Sequence, residues 1–422
     1  MVLEDYRDNM EICSKCSACK FIPLERVEGL QHVNICPSIA RYNFHAYSGG
    51  GRLGTAIAML DKRFDYSKKL VEVMYNCQTC GGCDVSCKYG MDMEVLEPIY
   101  EFRIKAVKEK HTHPALDKVI NSLKKQGTMV PGSKTNRGEW AKGLDVKDIT
   151  KQKVKVLYHV GCLTSYDREM WKVAKATVNL LKKVGVDFGI AGENESCCGG
   201  RAYQMGYKED FLNQARKNME MIKISGVETL ITTCADGYHA FQVLYDKFNL
   251  KGNLEVLHIT EYLARLIKEG KLKPAKKINI NVTYHDPCHL GRLGETYIHW
   301  EGKRVPGHMY RFEPQKVYRR GTYGIYEPPR DVLRSIPGIK LVEMDRTKEY
   351  AWCCGAGGGV NDSNQEFSMW TAMERIKEAE DTGAEAIVTA CPWCVRNFND
   401  AIKKNGSKLK IYDVTELLAM AI

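Results

Sequence analysis

The chain has 422 residues, of which 44% are hydrophobic, and a formal net charge of +10; this length and composition suit two or three ordinary globular domains. No stretch reaches the roughly 18 apolar residues of a membrane-spanning helix, and the first residues have neither the basic nor the apolar region of a signal peptide. We therefore expect a cytoplasmic protein, soluble or held at a membrane by partner proteins, and no nucleic-acid partner. The positive net charge mostly concerns solubility and acidic partners.

The cysteine content is high, at 17 residues. Secreted disulfide frameworks of this density belong to small chains, whereas this chain is long and has no export signal. We therefore expect reduced thiolates that bind metal rather than disulfides.

Two cysteine runs with the spacing C-x2-C-x2-C lie in the first hundred residues, each accompanied by one remote cysteine. This spacing is typical of a bacterial-type ferredoxin with two [4Fe-4S] cubanes, in which the fourth ligand of each cubane comes from the other run. The predicted ligands of the first cubane, called the first set, are Cys13, Cys16, Cys19 and Cys87. Those of the second cubane, called the second set, are Cys77, Cys80, Cys83 and Cys36. A pair of zinc knuckles is the alternative, although zinc ligands usually come as pairs and not as triplets.

A G-x-G-x-x-G pattern covers residues 49–54, between the two runs. A dinucleotide-binding fingerprint needs a preceding strand and a βαβ unit, and this stretch has neither. The sequence therefore predicts a turn here and no nucleotide site.

A helical pattern follows over residues 92–126, and residues 127–150 contain the Gly, Pro and Ser of a linker. We therefore expect a helical, ferredoxin-type two-cluster domain over residues 1–126 and a linker over 127–150.

The rest of the chain is duplicated, with a first copy over residues 151–273 and a second over 274–422. Each copy begins with a strand, over 154–159 and 278–284, and continues with a helix, a short strand, a cysteine doublet with glycines, a long helix and a further strand. This alternation predicts a small parallel sheet flanked by helices in each copy. The predicted fold class is therefore a multidomain α+β and α/β protein, with the helical domain followed by two α/β modules.

The cysteines of each copy are expected at one sheet edge, because ligands collect beyond the carboxyl ends of parallel strands. The second-copy cysteines are Cys288, Cys353, Cys354, Cys391 and Cys394. The first-copy cysteines are Cys162, Cys197, Cys198 and Cys234. Five thiols exceed the needs of a tetrahedral zinc and favour a larger sulfur-ligated centre in the second copy. The first copy has Gly237 where a fifth thiol would fall, and it could hold zinc, a further cluster or nothing.

Polar residues near these cysteines are candidates for a supporting role. His285 and His289 flank Cys288 closely enough to donate to cluster sulfur or to carry protons. Ordinary buried histidines are the alternative, and Asp286 and Asp236 have the same two interpretations.

The two triplet runs followed by two C-x(n)-CCG-x(n)-C-x-x-C modules resemble the D-type iron–sulfur proteins of heterodisulfide reductase, within the broad CCG-domain group. The resemblance covers nearly the whole chain and includes the motifs at residues 285–292, 326–330 and 352–359. It implies that a complete module holds a noncubane [4Fe-4S] centre that splits or forms disulfides, with the five second-copy cysteines as its ligands and catalytic residues. The missing thiol at Gly237 argues against a second such centre.

The same resemblance implies a function. We expect an iron–sulfur electron-transfer subunit of an anaerobic redox complex, with a flavoprotein, a ferredoxin-like protein or a membrane cytochrome subunit as partners. A catalytic heterodisulfide or thiol–disulfide reductase subunit is one alternative, and the iron–sulfur subunit of a flavin 2-hydroxyacid dehydrogenase is another. A structural zinc protein is the remaining one.

The stretch between Glu295 and Gly324 is longer than is usual in the family and is rich in basic and aromatic residues, including Tyr310. A partner-docking loop, a lid that contacts an anionic ligand and an ordinary surface loop are the alternatives for this insertion.

Overall fold

The structure is a computed structural model that describes residues 1–27, 31–308 and 311–422, so that Tyr310 lies outside the described residues. The helices are α1 (Arg7–Glu11), α2 (Pro37–Tyr42), α3 (Gly49–Leu60), α4 (Lys68–Tyr75), α5 (Gly82–Met91), α6 (Leu96–Lys108), α7 (Pro114–Gln126), α8 (Cys162–Tyr166), α9 (Trp171–Lys183), α10 (Gly200–Gln204), α11 (Lys208–Ser225), α12 (Ala235–Tyr238), α13 (Tyr245–Lys247), α14 (Ile259–Lys268), α15 (Glu327–Arg334), α16 (Val360–Ser363), α17 (Gln365–Asp381), α18 (Pro392–Asn405) and α19 (Val414–Met420). The strands are β1 (Lys147–Asp148), β2 (Val156–His159), β3 (Phe188–Ile190), β4 (Thr229–Thr232), β5 (Glu255–His258), β6 (Ile280–His285), β7 (Lys303–Arg304), β8 (Phe312–Glu313), β9 (Ile339–Leu341), β10 (Ala386–Thr389) and β11 (Lys410–Asp413). Within the described ranges, no helix is long and apolar enough to cross a membrane.

The first sheet has five parallel strands in the order β1-β3-β2-β4-β5. Its two central strands, β2 and β4, pair with His159 opposite Thr232, so both strands end at the same level. Cys162 and Cys234 come shortly after these two ends. The register of the sheet therefore brings both cysteines to one edge.

The second sheet has four parallel strands in the order β11-β10-β6-β9. The strands β9-β6-β10-β11 repeat the order β3-β2-β4-β5 of the first sheet, and the central pair again ends in register, with His285 opposite Thr389. Strand β10 is buried along its whole length, which explains its continuous apolar sequence, since both faces of the sheet are covered. The prediction of two duplicated α/β modules with parallel sheets is confirmed.

The N-terminal region contains helices α1 to α7 and, among the residues described there, one isolated β-bridge between Phe21 and Asn34. The helical pattern predicted over residues 92–126 corresponds to α6 and α7. Binding of two clusters by this region stays a prediction.

The prediction of a turn over residues 49–54 is wrong, because these residues begin helix α3. The Ser48 hydroxyl caps the helix and accepts a hydrogen bond from the Gly51 N–H at 3.0 Å. The glycines are required by packing: a Cβ on Gly51 would overlap the His45 carbonyl, and a Cβ on Gly50 would lie 3.0 Å from the Cys13 sulfur. The backbone of α3 therefore packs directly against the first cysteine run.

The segment predicted as a linker, residues 127–150, is part of the first copy's structure. Its strand β1 pairs with β3, and the Trp140 side chain is buried. Arg137 is also buried and forms an ion pair with Glu195 at 2.8 Å. The predicted boundary at residue 150 therefore cuts through packed structure.

The insertion over residues 295–324 lies against the N-terminal region. Lys316 pairs with Glu94 at 3.5 Å, and Arg319 lies 3.8 Å from Glu97. Glu97 also pairs with Lys247 of the first copy. Part of the positive charge of the insertion is therefore paired within the chain. These ion pairs connect the second copy to the N-terminal region and, through Glu97, to the first copy.

Candidate metal centres

The four cysteines of the first set line one cavity. Burial raises the pKa of Cys87, and the thiolates of Cys19, Cys13 and Cys16 raise it further, which shows that these sulfur atoms lie close together. The Gly50 N–H at the start of α3 donates to the Cys19 sulfur at 3.4 Å. The structure thus brings the remote Cys87 to the first cysteine run.

The four cysteines of the second set also lie together. Burial raises the pKa of Cys36 to about 12, and the thiolates of Cys77 and Cys80 add to this effect. Burial raises the pKa of Cys83, and the thiolates of Cys36, Cys77, Cys80 and the first-set Cys19 raise it further. The two sets are therefore neighbours, in the crossed arrangement that the spacing predicts.

The second-copy cysteines meet beyond the carboxyl ends of β6 and β10. Cys288 follows β6, and Cys391 follows β10 and precedes helix α18. Cys394 lies in the first turn of α18, where burial and the neighbouring Cys354 and Cys391 raise its pKa. Cys353 and Cys354 come from the loop before α16.

The five second-copy cysteines are linked, because each perturbs the pKa of the next in the series Cys288, Cys353, Cys354, Cys394 and Cys391. The neighbouring Cys353 thiol lowers the pKa of Cys288 to about 7, against the effect of burial and with a further contribution from His289. The Gly355 N–H donates to the Cys353 sulfur at 3.3 Å. A Cβ on Gly355 would overlap the Ser368 carbonyl, so the close approach requires glycine.

A direct contact joins the second set to the second copy. The Cys353 thiol lies against Cys80 and lowers the pKa of Cys80 to about 6; the nearby Arg292 guanidinium acts in the same direction and burial in the opposite one. Cys80, Cys353 and Cys288 form one buried group. Gly357 permits this approach, because a Cβ there would lie 2.5 Å from the Gln78 carbonyl oxygen.

The first copy contributes a cysteine to the second-copy site. The Cys234 thiol donates to Cys391, and one ligand atom from each of Cys234, Asp236 and Cys391 lies within 4.8 Å of the other two. The sequence pattern groups Cys234 only with the first-copy cysteines, because the contact between the two copies is not visible in the pattern of either copy.

The other three first-copy cysteines form a second group, in which Cys198 also affects the pKa of Cys234. Cys162 and Cys197 are neighbours, since each perturbs the pKa of the other, and Cys198 also perturbs the pKa of Cys197. The Arg137 guanidinium nitrogens lie 3.7 and 3.8 Å from the Cys162 sulfur. This group therefore combines three thiols with a buried cation.

His289 connects the two copies. Its Nδ1 atom lies 3.3 Å from the Cys288 sulfur and 3.3 Å from the Asp236 carboxylate. Burial alone would lower the pKa of His289, but the Cys288 thiolate and the Asp236 carboxylate raise it to about 10. Asp286, in contrast, is held by Arg330 through hydrogen bonds of 2.7 and 2.9 Å and takes part in an ordinary buried ion pair.

His285 lies on the other side of the second-copy site. One of its ring nitrogens and the sulfurs of Cys354 and Cys394 lie within 4.8 Å of one another. Burial lowers its pKa, so the ring is neutral and suited to donate from one nitrogen.

Arg103 is a buried residue that the sequence did not single out. It donates hydrogen bonds of 2.7 to 2.9 Å to four backbone carbonyls, those of Met74, Cys77, Gln204 and Gly358. These carbonyls belong to the N-terminal region and to both copies. The basic pattern of α6 gave no signal that one of its arginines is fully buried.

The donor set fits anionic, sulfur-ligated groups. Among the described residues, several buried nitrogen atoms beside the cysteines have no hydrogen-bond acceptor: His285 Nε2, His289 Nε2, Arg292 Nε and Nη1, and Arg375 Nη2. Unpaired buried donors are costly, and the sulfur atoms of iron–sulfur clusters accept hydrogen bonds from such groups. Thiolate ligands and unpaired hydrogen-bond donors are therefore both present.

Two segments of the chain, residues 156–242 and 308–399, match the family model of the CCG cysteine-rich domain. Over 98% of its length the chain is 32% identical to the D subunit of the dihydromethanophenazine:CoB–CoM heterodisulfide reductase of Methanosarcina acetivorans, and it covers 94% of that protein. The chain belongs to the family of heterodisulfide reductase D subunits. It is therefore an iron–sulfur oxidoreductase, as the motifs had indicated.

Longer proteins match most of this chain over about half of their own length. The chain is 30% identical to the probable iron–sulfur-binding oxidoreductase FadF of Bacillus subtilis, over 89% of the chain and 50% of that protein. It is 29% identical to the EtfAB:quinone oxidoreductase of Syntrophomonas wolfei, over 83% of the chain and 47% of that protein. These relatives support a redox subunit that binds iron–sulfur clusters.

Proposed function

We propose that the chain is an electron-transfer subunit that passes electrons between partner redox proteins and the second-copy site. The first and second sets would each hold a [4Fe-4S] cubane, and the five second-copy cysteines would hold a noncubane [4Fe-4S] centre. Such clusters supply one-electron chemistry at potentials set by their ligands, hydrogen bonds and burial. The partners would be a flavoprotein, a ferredoxin-like protein or a membrane cytochrome subunit.

The observation that carries this proposal is the contact between Cys80 and Cys353. Cys80 belongs to the second set and Cys353 to the second-copy site, so predicted ligands of two centres touch. Cys83 and Cys19 extend the series to the first set. Arg103 holds the Cys77 and Gly358 carbonyls in place, which fixes the second set and the second copy relative to each other.

The proposal is tested by removing the second set with Cys77→Ser and Cys83→Ser together. Rapid freeze-quench electron paramagnetic resonance then follows reduction by a reduced ferredoxin. We expect the first set's signal to form at the wild-type rate and the second-copy signal to lose its fast phase. Cys162→Ser, outside the series, should change neither rate. Fast reduction of the second-copy site in the double variant would contradict the relay.

A second candidate function is thiol–disulfide chemistry at the second-copy site. The observation that favours it is that thiols of both copies meet there, with Cys234 beside Cys391, in a family whose Methanosarcina members are named heterodisulfide reductases. Reduction of mixed disulfides with reduced methyl viologen tests it. We expect Cys391→Ala to abolish this activity and Cys162→Ala to retain it; an isolated wild-type chain without activity would leave the relay as the function.

A further inference from the structure

The surface around Cys16 differs from that around every other cysteine. Cys16 is exposed, whereas the remaining cysteines are buried or partly buried. Cys16 belongs to the first set. Contacts lead from the first set to the second set and from there to the second-copy site, so the first set is at the opposite end of this series from the second-copy site. A protein that exchanges electrons with the chain would have its shortest path to a predicted ligand here.

Large apolar side chains are exposed on this face. Their exposed fractions are 42% for Phe21, 76% for Leu24, 67% for Phe44 and 40% for Tyr89. Phe44 precedes His45, which lines the same cavity as Cys16, and Gly90 lies against Ala18 of the first run. Exposed apolar groups gathered in this way are typical of a binding surface.

Three basic residues lie on this face. Among the described residues, Lys15, Lys20 and Arg26 have no ion-pair partner, although the Glu349 carboxylate raises the pKa of Arg26 slightly after the larger effect of Tyr89. Lys20 and Lys15 lie near His45, because both add to burial in lowering its pKa. Arg26 stacks on the Tyr89 ring at 5.5 Å, and the Tyr89 hydroxyl donates to the neighbouring Glu25 carboxylate at 2.6 Å.

We propose that this face, defined by Cys16, Lys15, Lys20, Arg26 and the four apolar residues, docks a small acidic electron-transfer protein. The proposal rests on the proposed function and adds the partner's chemistry to it. These three cations would steer an acidic partner, and the apolar side chains would bury against it. A membrane surface would also attract cations, but it brings no redox group to the exposed ligand, and an acidic carrier does.

The test uses anaerobically purified, cluster-loaded protein in stopped-flow reduction. The donor is a reduced acidic [4Fe-4S] ferredoxin, and reduced methyl viologen is a second donor that needs no docking. The variants are Lys15→Glu with Lys20→Glu, and separately Arg26→Glu. Lys276→Glu with Lys277→Glu, at exposed positions at the start of the second copy, is the matched control.

At low ionic strength we expect the ferredoxin rate constant to fall at least about tenfold in the Lys15/Lys20 variant, to fall in Arg26→Glu, and to stay unchanged in the control. Added salt should lower the ferredoxin rate constant of the wild type and reduce the difference between this rate constant and that of the Lys15/Lys20 variant. The methyl viologen rate should not fall, since reversal of charge cannot repel this cationic donor.

An unchanged, salt-independent ferredoxin rate in both variants would overturn the docking proposal. So would loss of binding to anionic phospholipid vesicles with ferredoxin reduction intact, because the face would then bind a membrane. Failure of the proposed function is a different result: the first set would be reduced through the docking face, but electrons would not reach the second-copy site.

Discussion

Glu378 illustrates how single buried charges are stabilised in the second copy. Its carboxylate accepts hydrogen bonds from Arg346 at 2.8 Å and from Arg375 at 2.6 Å, and its side chain is 1% exposed. Although burial acts in the opposite direction, the two arginines lower the pKa of Glu378 to about 2. Because Arg375 also lies 3.3 Å from His285, this ion pair helps to position a histidine beside the second-copy cysteines.

Replacement of this carboxylate should therefore be costly. We expect Glu378→Gln to lower the free energy of unfolding by about 3 kcal/mol at neutral pH, since it leaves buried arginines without their partner. Glu374→Gln on the same helix is the control, because Glu374 pairs with the exposed Lys377 at the surface and should matter by less than about 1 kcal/mol. Denaturant unfolding under anaerobic conditions measures both; equal effects would contradict this assignment.

The same carboxylate predicts a dependence on pH. A folded-state pKa below the ordinary value means that the stabilisation is fully present above about pH 4.5 and is lost as the pH falls toward about 2. The stability difference between wild type and Glu378→Gln should therefore be the same at about pH 7 and pH 5 and smaller at about pH 3. A difference that stays constant down to pH 3 would show that the carboxylate gains nothing from its charge.

Among the helices, α3 shows how close packing at glycines brings the backbone against the first set. Its first turn lies against the first cysteine run, and the Gly50 N–H reaches the Cys19 sulfur. The helix bears glycines at Gly49, Gly50, Gly51 and Gly54, but only some of these positions are crowded.

Two glycine substitutions in α3 should therefore differ in their effects on stability and on iron binding. Gly51→Ala places a Cβ on the His45 carbonyl and should cost about 1–3 kcal/mol of stability and reduce the iron bound by the first set. Gly54→Ala meets nothing within 4 Å and should be neutral or stabilising by about 0.5–1 kcal/mol, because alanine favours the helix. Unfolding and iron content measure both, and an iron loss in Gly54→Ala equal to that in Gly51→Ala would contradict the packing argument.

The features that could be predicted from the sequence are those that depend on the local spacing of residues. The crossed cysteine sets, the strand that opens each copy and the cysteines at the strand ends follow from ligand geometry and from the alternation of strands and helices. Partners far apart in the chain could not be predicted: Arg103 and the Gly358 carbonyl are 255 residues apart. The contact of Cys234 with Cys391 and the ion pairs of the insertion also form only when complete regions pack together.

At the scale of the whole molecule, the two copies face each other and share one site. Cys234 and Asp236 come from the first copy, and Cys391 and Cys288 from the second, with His289 between them. The duplication therefore does more than repeat a fold, because the meeting of the two sheet edges places first-copy groups beside the predicted ligands of the second copy.

Two first-copy cysteines should consequently behave differently. Cys234→Ser is expected to alter the electron paramagnetic resonance spectrum of the thiol-oxidised second-copy site and to leave the two cubane signals unchanged. Cys162→Ser, in the second group beside Arg137, should leave that spectrum as in the wild type. An unaltered second-copy spectrum in Cys234→Ser would mean that the contact with Cys391 has no role.

We propose that one chain holds two cubanes and a reactive noncubane centre in series. Measurement of iron, sulfide and zinc per chain on anaerobically purified protein, together with electron paramagnetic resonance, tests this proposal. We expect about twelve irons, little zinc, two reduced-cubane signals and a distinct signal on thiol oxidation. About eight irons with only ordinary cubane signals would contradict the account, because the second-copy cysteines would then hold no cluster.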